Sequence, residues 1–359
     1  MKRKTLIRLT AAILSPVLLC CSFVGCAAKK DVVRYESVAV TSDIFNYLCS
    51  LKKTEYLYDA YQLSPSDVST AQLQDNELIW VTTGADNVTV ADHLKMEVLE
   101  EVQALLYFAH VAVEQGYTLN SEQVKIIEND FKTNIASQFE TKKEFNDYMK
   151  NYGITYDGML EYYKLQTLAE QGSELLFGES GTAKVTEAAA KAHFNKSYIT
   201  MSAIFINTKN KTYPNGKVVL LPESEKAEKL RLVEETASRL AAGEDFAALC
   251  EEVSDAKVSR DEAEKGVTSL KGSHSVSTVN DKLVEMKEGE YARVDVDGGV
   301  YFIKRLPLDN SYFESEKEAL AEELEALKRA DMVAQKLEKF VVDEAFIEAI
   351  DVVKIAFVV

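Results

Sequence analysis

Proline, histidine and cysteine are all scarce in this chain of 359 residues, which contains five, four and five of them respectively. The cysteines form no Cys-x-x-Cys pair and the histidines form no cluster, so the sequence predicts neither a metal site nor another bound cofactor. The low proline content excludes a proline-rich, extended chain. With 47% apolar residues, the composition is typical of a helix-rich globular protein.

The few histidines also argue against a hydrolase. His93 and His110 lie on one predicted helix, far along the chain from His193 and His274. No Ser–His or Cys–His pairing with an acidic partner is apparent from their spacing, and a nucleophilic triad needs all three groups together.

Basic residues are outnumbered, with 41 Lys and Arg against 58 Asp and Glu. Residues 1–25 hold four basic residues and no acidic one, so their removal would take the formal net charge from −17 to about −21. A body this acidic, without a basic stripe, would be repelled by nucleic acid and by anionic lipid surfaces. A nucleic-acid partner is therefore excluded.

The N-terminus has the pattern of a secretion signal. Basic residues precede an apolar run over 9–19, which is too short to span a bilayer, and small residues follow it. The sequence Phe23-Val24-Gly25-Cys26 then resembles a bacterial lipobox, in which the cysteine thiol is acylated and becomes the first mature residue. We therefore predict a signal peptide over 1–25, lipidation at Cys26 and attachment to the extracytoplasmic face of the cell membrane. The alternative is an ordinary cleaved signal with incidental cysteines.

Two other mature cysteines remain, Cys49 and Cys250. An extracytoplasmic location permits a disulfide between them. They lie in what are predicted to be separate domains, however, and this favours two buried free thiols.

The periodicity of apolar residues changes once along the chain. Up to residue 197 it is helical, and Thr89, Thr141 and Thr186 are predicted N-caps. Residues 78–81 are predicted to be either a short strand or a buried patch. After Tyr198 the pattern alternates, as in strands.

The second part of the chain contains a predicted strand over 200–206, an amphipathic helix over 223–240 and a hairpin over 291–306. A long charged helix is predicted from Phe313 to Phe340. The last residues, 352–359, are predicted to form an apolar strand that pairs with residues 38–40.

The order strand, helix, short helix, glycine-bearing loop, helix and hairpin resembles a parvulin-type peptidyl-prolyl isomerase domain. The segment 240–249 (LAAGEDFAAL) resembles the L-x-x-G-x-D-F-A-x-L corner of that family, and Ser254-Asp255 matches the Ser-Asp that follows it. Residues 283–290 resemble its L-x-x-G-E segment, and 301–306 resemble its closing strand. The helical segments on either side resemble those of extracytoplasmic foldase lipoproteins and periplasmic chaperones.

The histidines that this resemblance would place at the pocket floor are missing. Ala203 stands at the histidine position of the first strand and Tyr301 at that of the last strand. Ala256 stands at the Cys-or-Asp position, although a slipped alignment would offer Asp255 or Asp261. These positions predict a retained fold whose isomerase centre is degraded, with His274 in a nearby loop.

The predicted fold class is α+β and mostly helical. A helical chaperone domain over 26–185 would be completed by a helix and strand over 309–359, with a degenerate parvulin-like domain inserted over 186–308. The predicted function is a membrane-anchored folding factor that binds unfolded, newly exported polypeptides, with weak or no isomerase activity. The alternatives are an active peptidyl-prolyl isomerase and an envelope scaffold or adhesion protein. The oligomeric state stays open.

Overall fold

The computed structural model describes residues 30–60, 77–84, 86–213 and 216–357; the signal segment and Cys26 lie outside this range. The chain divides into two compact units. The helical unit contains the described residues up to Lys184 and those from Leu327 onward, and the sheet unit is Val185–Ala326. The predicted fold class is confirmed: the protein is α+β, mostly helical, with an α/β unit inserted between the two parts of the helical unit.

The first part of the helical unit begins with two short strands and continues as helices. The predicted caps at Thr89 and Thr141 are confirmed, because their hydroxyl oxygens accept backbone N–H groups of the first helical turns, and Thr155 caps a third helix in the same way. The elements are β1 (Asp31–Tyr35), β2 (Val38–Thr41), α1 (Ser42–Ala60), α2 (Glu77–Val81), α3 (Val90–Glu114), α4 (Ser121–Asn134), α5 (Lys142–Met149) and α6 (Tyr156–Phe177). A 3-10 turn, Lys150–Tyr152, follows α5. The predicted strand or patch at residues 78–81 is a helical turn, in which Trp80 is buried.

Helices α3 and α6 approach each other closely at Gly172. A Cβ atom at this glycine would lie 1.9 Å from the carbonyl oxygen of Phe108, so only the missing side chain permits this approach. Apolar residues of α3, including Leu94, Val98 and Val102, form the centre of the core of the helical unit.

The sheet unit contains α7 (Glu187–Ser197), β3 (Tyr198–Asn207), β4 (Asn210–Thr212), β5 (Val218–Leu220), α8 (Glu223–Ala241), α9 (Phe246–Val253), α10 (Arg260–Lys265), β6 (Val267–Leu270), α11 (Ser277–Glu285), β7 (Tyr291–Val296) and β8 (Gly299–Leu306). Its main sheet has the order β6-β3-β8-β7, and every neighbouring pair is antiparallel. The predicted cap at Thr186 and the predicted closing hairpin are confirmed. Strands β4 and β5 form a separate small hairpin.

Alternation along β3 and β8 gives the sheet two different faces. Ile204, Ile206 and Phe302 are buried with residues of α8 and α9 on one face. Ile199 and Ile303 are buried with Val279 and Leu283 of α11 on the other, as part of one apolar cluster. The register pairs Phe205 with Tyr301, which places both side chains on the α11 face beside Ala203.

The chain returns to the helical unit through α12 (Asn310–Ala334), β9 (Phe340–Val342) and α13 (Glu344–Glu348). The predicted pairing of 352–359 with 38–40 is wrong. Instead β9 pairs with β1, and β1 pairs with β2, which gives the order β2-β1-β9. Residues 352–357 form turns and irregular structure, because several of their carbonyl groups accept hydrogen bonds from Lys53 rather than from a strand.

Both cysteines of the described region, Cys49 and Cys250, are buried and free. The favoured alternative of two separate thiols is therefore confirmed. Burial raises the pKa of the Cys49 thiol to about 12, since the thiolate would be poorly solvated. Every helix within the described residues is too short or too polar to cross a lipid bilayer.

Candidate functional site

The first candidate site lies on the α11 face of the sheet and is centred on Tyr301. The rings of Phe205 and Tyr301 lie 4.5 Å apart, centroid to centroid, at an interplanar angle of 30°. The ring of His274 meets Tyr301 edge-on at 5.8 Å and 89°. The structure therefore brings together Tyr301 and His274, two of the residues considered from the sequence, and adds Phe205 to them.

Asn280 of α11 holds the loop that carries His274. Its Oδ1 accepts the His274 backbone N–H at 2.9 Å, and its Nδ2 donates to the carbonyl oxygens of His274 and Gly272 at 2.6 and 3.1 Å. His274 Nδ1 accepts the backbone N–H of Val276 at 3.1 Å, so the proton of the neutral ring belongs on Nε2. The imidazole is thus held in one orientation against the Tyr301 ring.

The surface around Tyr301 is a shallow, open depression of about 420 Å³. It is lined by Phe205, Tyr301, Val276 and Val296, together with Ser275, Ser277, Asp297 and Gly298. Small-molecule sites normally bury most of their ligand in a concave pocket. The Phe205 ring, packed on Tyr301, leaves no such enclosure here, whereas Phe302 is buried on the opposite face of the sheet.

Ser254 and Asp255, which resemble the family's Ser-Asp pair, form hydrogen bonds with the backbone of strand β3. Ser254 Oγ accepts the backbone N–H of Phe205 at 3.1 Å, and the Asp255 N–H donates to the Phe205 carbonyl at 2.8 Å. The Asp255 carboxylate accepts the N–H of Asn207 at 2.8 Å and pairs with Lys229 at 2.5 Å. The pair therefore binds the edge of β3 beyond the end of β6.

Ala203 and Ala256 carry no side-chain group suited to proton transfer, and Asp261 is not among the residues that line the depression around Tyr301. Ala203 is half-buried on the α11 face, and its carbonyl accepts the thiol of Cys250 at 3.2 Å. Ala256 is exposed, and Asp261 is exposed in the first turn of α10. The assignment of Ala203, Ala256 and Tyr301 as equivalents of the family's site residues stays a prediction, as does lipidation of Cys26.

One cluster in the sheet unit was not foreseen from the sequence. His193 Nε2 lies 3.0 Å from Glu323 Oε1, and Ser197 Oγ lies 3.4 Å from His193 Nδ1. The Tyr198 hydroxyl donates to the other oxygen of Glu323, and burial together with this bond raises the pKa of Tyr198. A Ser–His–acid set thus exists, but its carboxylate is shared with Tyr198 and its serine contact is long. The cluster connects α7 to α12, and no local spacing reveals it because Glu323 lies 130 residues beyond His193.

The second candidate site, here called the tyrosine band, lies on the helical unit. It comprises Tyr47 of α1, Tyr148 of α5, Tyr152 of the 3-10 turn, and Tyr162 and Tyr163 of α6, all of them half-buried. Ring centroids lie 6.4 Å apart for Tyr47 and Tyr162, 6.3 Å for Tyr162 and Tyr163, and 6.1 Å for Tyr148 and Tyr152.

Close backbone packing connects the two parts of this band. Gly153, next to Tyr152, has a φ of +78° and approaches Asn46, next to Tyr47, so closely that a Cβ would lie 2.9 Å from the Asn46 Cβ. Burial raises the pKa of Tyr47 and Tyr162, and raises that of Tyr152 to about 12. Each tyrosine side chain of the band offers an apolar body with a polar hydroxyl tip.

Several aromatic residues of the helical unit belong to its core. Tyr58 and Phe108 are buried. Tyr47, Tyr56 and Tyr107 are half-buried against the core, and Tyr61 lies outside the described residues.

The sheet unit has the class of fold that its motifs predicted: a four-stranded antiparallel sheet with helices on both faces, inserted into a helical body. No family model and no curated protein matches this chain. Solved structures do match it, and their names are those of foldases and peptidyl-prolyl isomerases, which is the class that the sequence resembles.

Three of the matching structures illustrate the range. PrsA from Bacillus subtilis is 19% identical, with 77% of this chain and 94% of that chain covered and a TM-score of 0.25. The peptidylprolyl isomerase PrsA from Bacillus cereus is 21% identical, with 72% and 90% covered and a TM-score of 0.34. The foldase protein PrsA from Streptococcus pneumoniae is 14% identical, with 90% and 99% covered and a TM-score of 0.24. None of these similarities is close enough to transfer an activity to this chain.

Proposed function

We propose that this protein is a lipid-anchored, extracytoplasmic folding factor that holds unfolded, newly exported polypeptides on its helical unit. The observation that carries this proposal is the tyrosine band. Tyrosine provides a large contact area with little loss of side-chain entropy, and its hydroxyl tolerates both water and peptide groups. Such a surface suits unfolded polypeptides, whose side chains differ from one client to the next while the peptide backbone stays the same.

The sheet unit has weak or no isomerase activity in this proposal. Rotation about an X–Pro bond faces a barrier of about 18–20 kcal/mol, and lowering it requires groups that favour the twisted amide over the planar one. Ala203 offers no polar side chain, and the Tyr301 site is an open depression rather than an enclosed pocket. In this proposal the sheet unit therefore contributes no isomerase chemistry to the handling of clients.

The test of client binding is suppression of aggregation of an unrelated denatured protein by the mature chain. Replacing Tyr148 and Tyr152 together by alanine should weaken binding of the denatured protein about tenfold, which corresponds to a loss of about 1.4 kcal/mol shared between the two half-buried rings. The matched control replaces two exposed tyrosines of the sheet unit, Tyr213 and Tyr291, and should keep full activity. Equal activity of both double variants, with both folded, would remove the band from the proposal. No suppression by the unmodified chain would instead favour the scaffold or adhesion alternative.

A working isomerase is the second candidate, favoured by one observation: the edge-on contact of the His274 ring with Tyr301. In that case the Tyr301 hydroxyl would donate to the twisting amide while the imidazole holds the phenol in place. A tetrapeptide isomerisation assay decides between the two candidates. Catalysis that Tyr301→Phe abolishes and Tyr291→Phe leaves intact would establish the isomerase, whereas the first proposal expects rates no higher than the uncatalysed reaction.

A further inference from the structure

The segment Asp351–Phe357 docks along helix α1 through its main chain. Lys53 is fully buried, with 0% of its surface exposed, and its ammonium donates to three carbonyl oxygens of this segment. The acceptors are Val352 at 2.8 Å, Val353 at 3.2 Å and Ile355 at 2.7 Å. One helical turn earlier, the Ser50 hydroxyl donates to the carbonyl of Ala356. The segment thus runs antiparallel to α1, with Ile355 at Lys53 and Ala356 at Ser50.

The side chains of the segment contribute apolar contacts. Val352 is 3% exposed, and Val353, Ile355 and Phe357 pack half-buried against the core of the helical unit. Its two charged residues, Asp351 and Lys354, form an ion pair with each other at 2.7 Å. The helical unit therefore recognises this segment by carbonyl groups and apolar side chains, which every apolar stretch of an unfolded polypeptide possesses.

We propose that the groove along α1, defined by Ser50, Lys53 and the apolar core residues beside them, is a polypeptide-binding site that the chain's own C-terminal segment occupies. This inference rests on the proposed function and identifies the client feature as an apolar segment that turns its carbonyls toward Lys53. An unfolded client would displace residues 351–357 and take over their hydrogen bonds.

The buried ammonium of Lys53 and the neighbouring tyrosine band favour a polypeptide as the occupant of the groove. A buried ammonium is costly unless hydrogen-bond acceptors replace water, so a purely apolar ligand could not take the place of the segment. The Trp80 ring, 5.2 Å from the ammonium, adds a cation–π contact on one side. The groove also adjoins the tyrosine band, because Tyr47 lies one helical turn before Ser50 on α1.

The first experiment removes the occupant. A fluorescent, permanently unfolded probe (reduced, carboxymethylated α-lactalbumin) is titrated into the mature chain and into the same chain truncated after Ile350. If the segment has left the groove in about one tenth of the intact molecules, only that fraction can bind the probe. Truncation raises the fraction to one and should therefore tighten binding about tenfold. A peptide with the sequence of residues 351–357 should compete with the probe for the truncated chain. Unchanged affinity in a truncated chain that keeps its helical circular dichroism would overturn the inference.

A second measurement covers the case in which the truncated chain does not fold. Hydrogen exchange is followed in the intact chain, with native, folded α-lactalbumin as the matched control for the unfolded probe. The amides of Val353 and Lys354, which donate hydrogen bonds to Asp351, should exchange several-fold faster when the unfolded probe is bound and stay unchanged with the folded protein. Full protection of these amides at saturating unfolded probe would show that clients bind elsewhere.

The two proposals fail in different ways. If the peptide binds the truncated chain but no form binds the unfolded probe, the groove exists and the folding-factor function is wrong. If the probe binds all forms equally and the peptide does not compete, the function stands and the groove is only a structural contact.

Discussion

At the scale of single residues, the ammonium of Lys53 in α1 is fully buried and donates to carbonyl groups about 300 residues further along the chain. Local spacing cannot reveal a partner at that distance. The sequence alone predicts that Ala203 and Tyr301 stand where the resembled family has histidines, because this needs only the alignment of two strands with the family's pattern. The contact between His274 and Tyr301 depends on how Asn280 holds the loop, which no motif encodes.

The tyrosine band should make stability depend on alkaline pH. The pKa of Tyr152 is raised to about 12, chiefly by burial, above the ordinary value of 10.0. The folded state holds the Tyr152 proton more tightly than the unfolded state does. The resulting contribution to the free energy of unfolding is complete below about pH 10 and is lost as the pH rises toward 12. Urea midpoints measured between about pH 9 and pH 11.5 should therefore fall, and they should fall less steeply in Tyr152→Phe. An identical slope in that variant would contradict this assignment, and Tyr213→Phe serves as the exposed control.

At the scale of helices and strands, capping and periodicity predicted more than long-range pairing did. The predicted N-caps Thr89, Thr141 and Thr186 each accept a backbone N–H group in the first turn of a helix. The strand predicted over 352–359 was wrong, because an apolar, β-branched run is equally suited to packing without a ladder. The strand that pairs with β1 is Phe340–Val342, which lies at the end of the helix predicted from Phe313 to Phe340. Only its pairing with β1 distinguishes it from a continuation of that helix.

The close approach of α3 and α6 at Gly172 provides a test at this scale. Gly172→Ala should destabilise the protein by about 1–3 kcal/mol, since the new methyl group would overlap the Phe108 carbonyl and force α3 and α6 apart. This cost exceeds the gain of roughly 1 kcal/mol in helix propensity. Gly298→Ala is the control, with no atom within 4 Å of its Cβ position, and should change stability by less than about 0.5 kcal/mol. Thermal or urea unfolding decides, and a Gly172→Ala variant as stable as the parent would refute the close packing.

At the scale of the whole molecule, the order of the segments could be predicted and their interaction surfaces could not. The insertion of an α/β unit into a helical body follows from the change of periodicity near Tyr198 and from the resemblance of residues 240–306. The site at which a client would bind does not, because it depends on which half-buried tyrosines face the same way and on what the C-terminal segment covers.

Membrane attachment is the prediction that belongs to this scale. Cys26→Ser should release the chain from the membrane fraction, because the proposed acyl anchor requires the thiol. Fractionation of cells and incorporation of labelled palmitate are the measurements, with Cys21→Ser as the matched control that should keep both. Membrane retention and labelling in Cys26→Ser would disprove the anchor, whereas a soluble, unlabelled parent chain would support an ordinary cleaved signal.

The strand order β2-β1-β9 has a consequence for the order in which the protein folds. The central strand, β1, is synthesised early, but its partner β9 lies some 300 residues later in the chain, after the complete sheet unit. Contacts of such long separation form late, because the loop between them must close first. The inserted unit can therefore fold while the earlier helices still await their last strand.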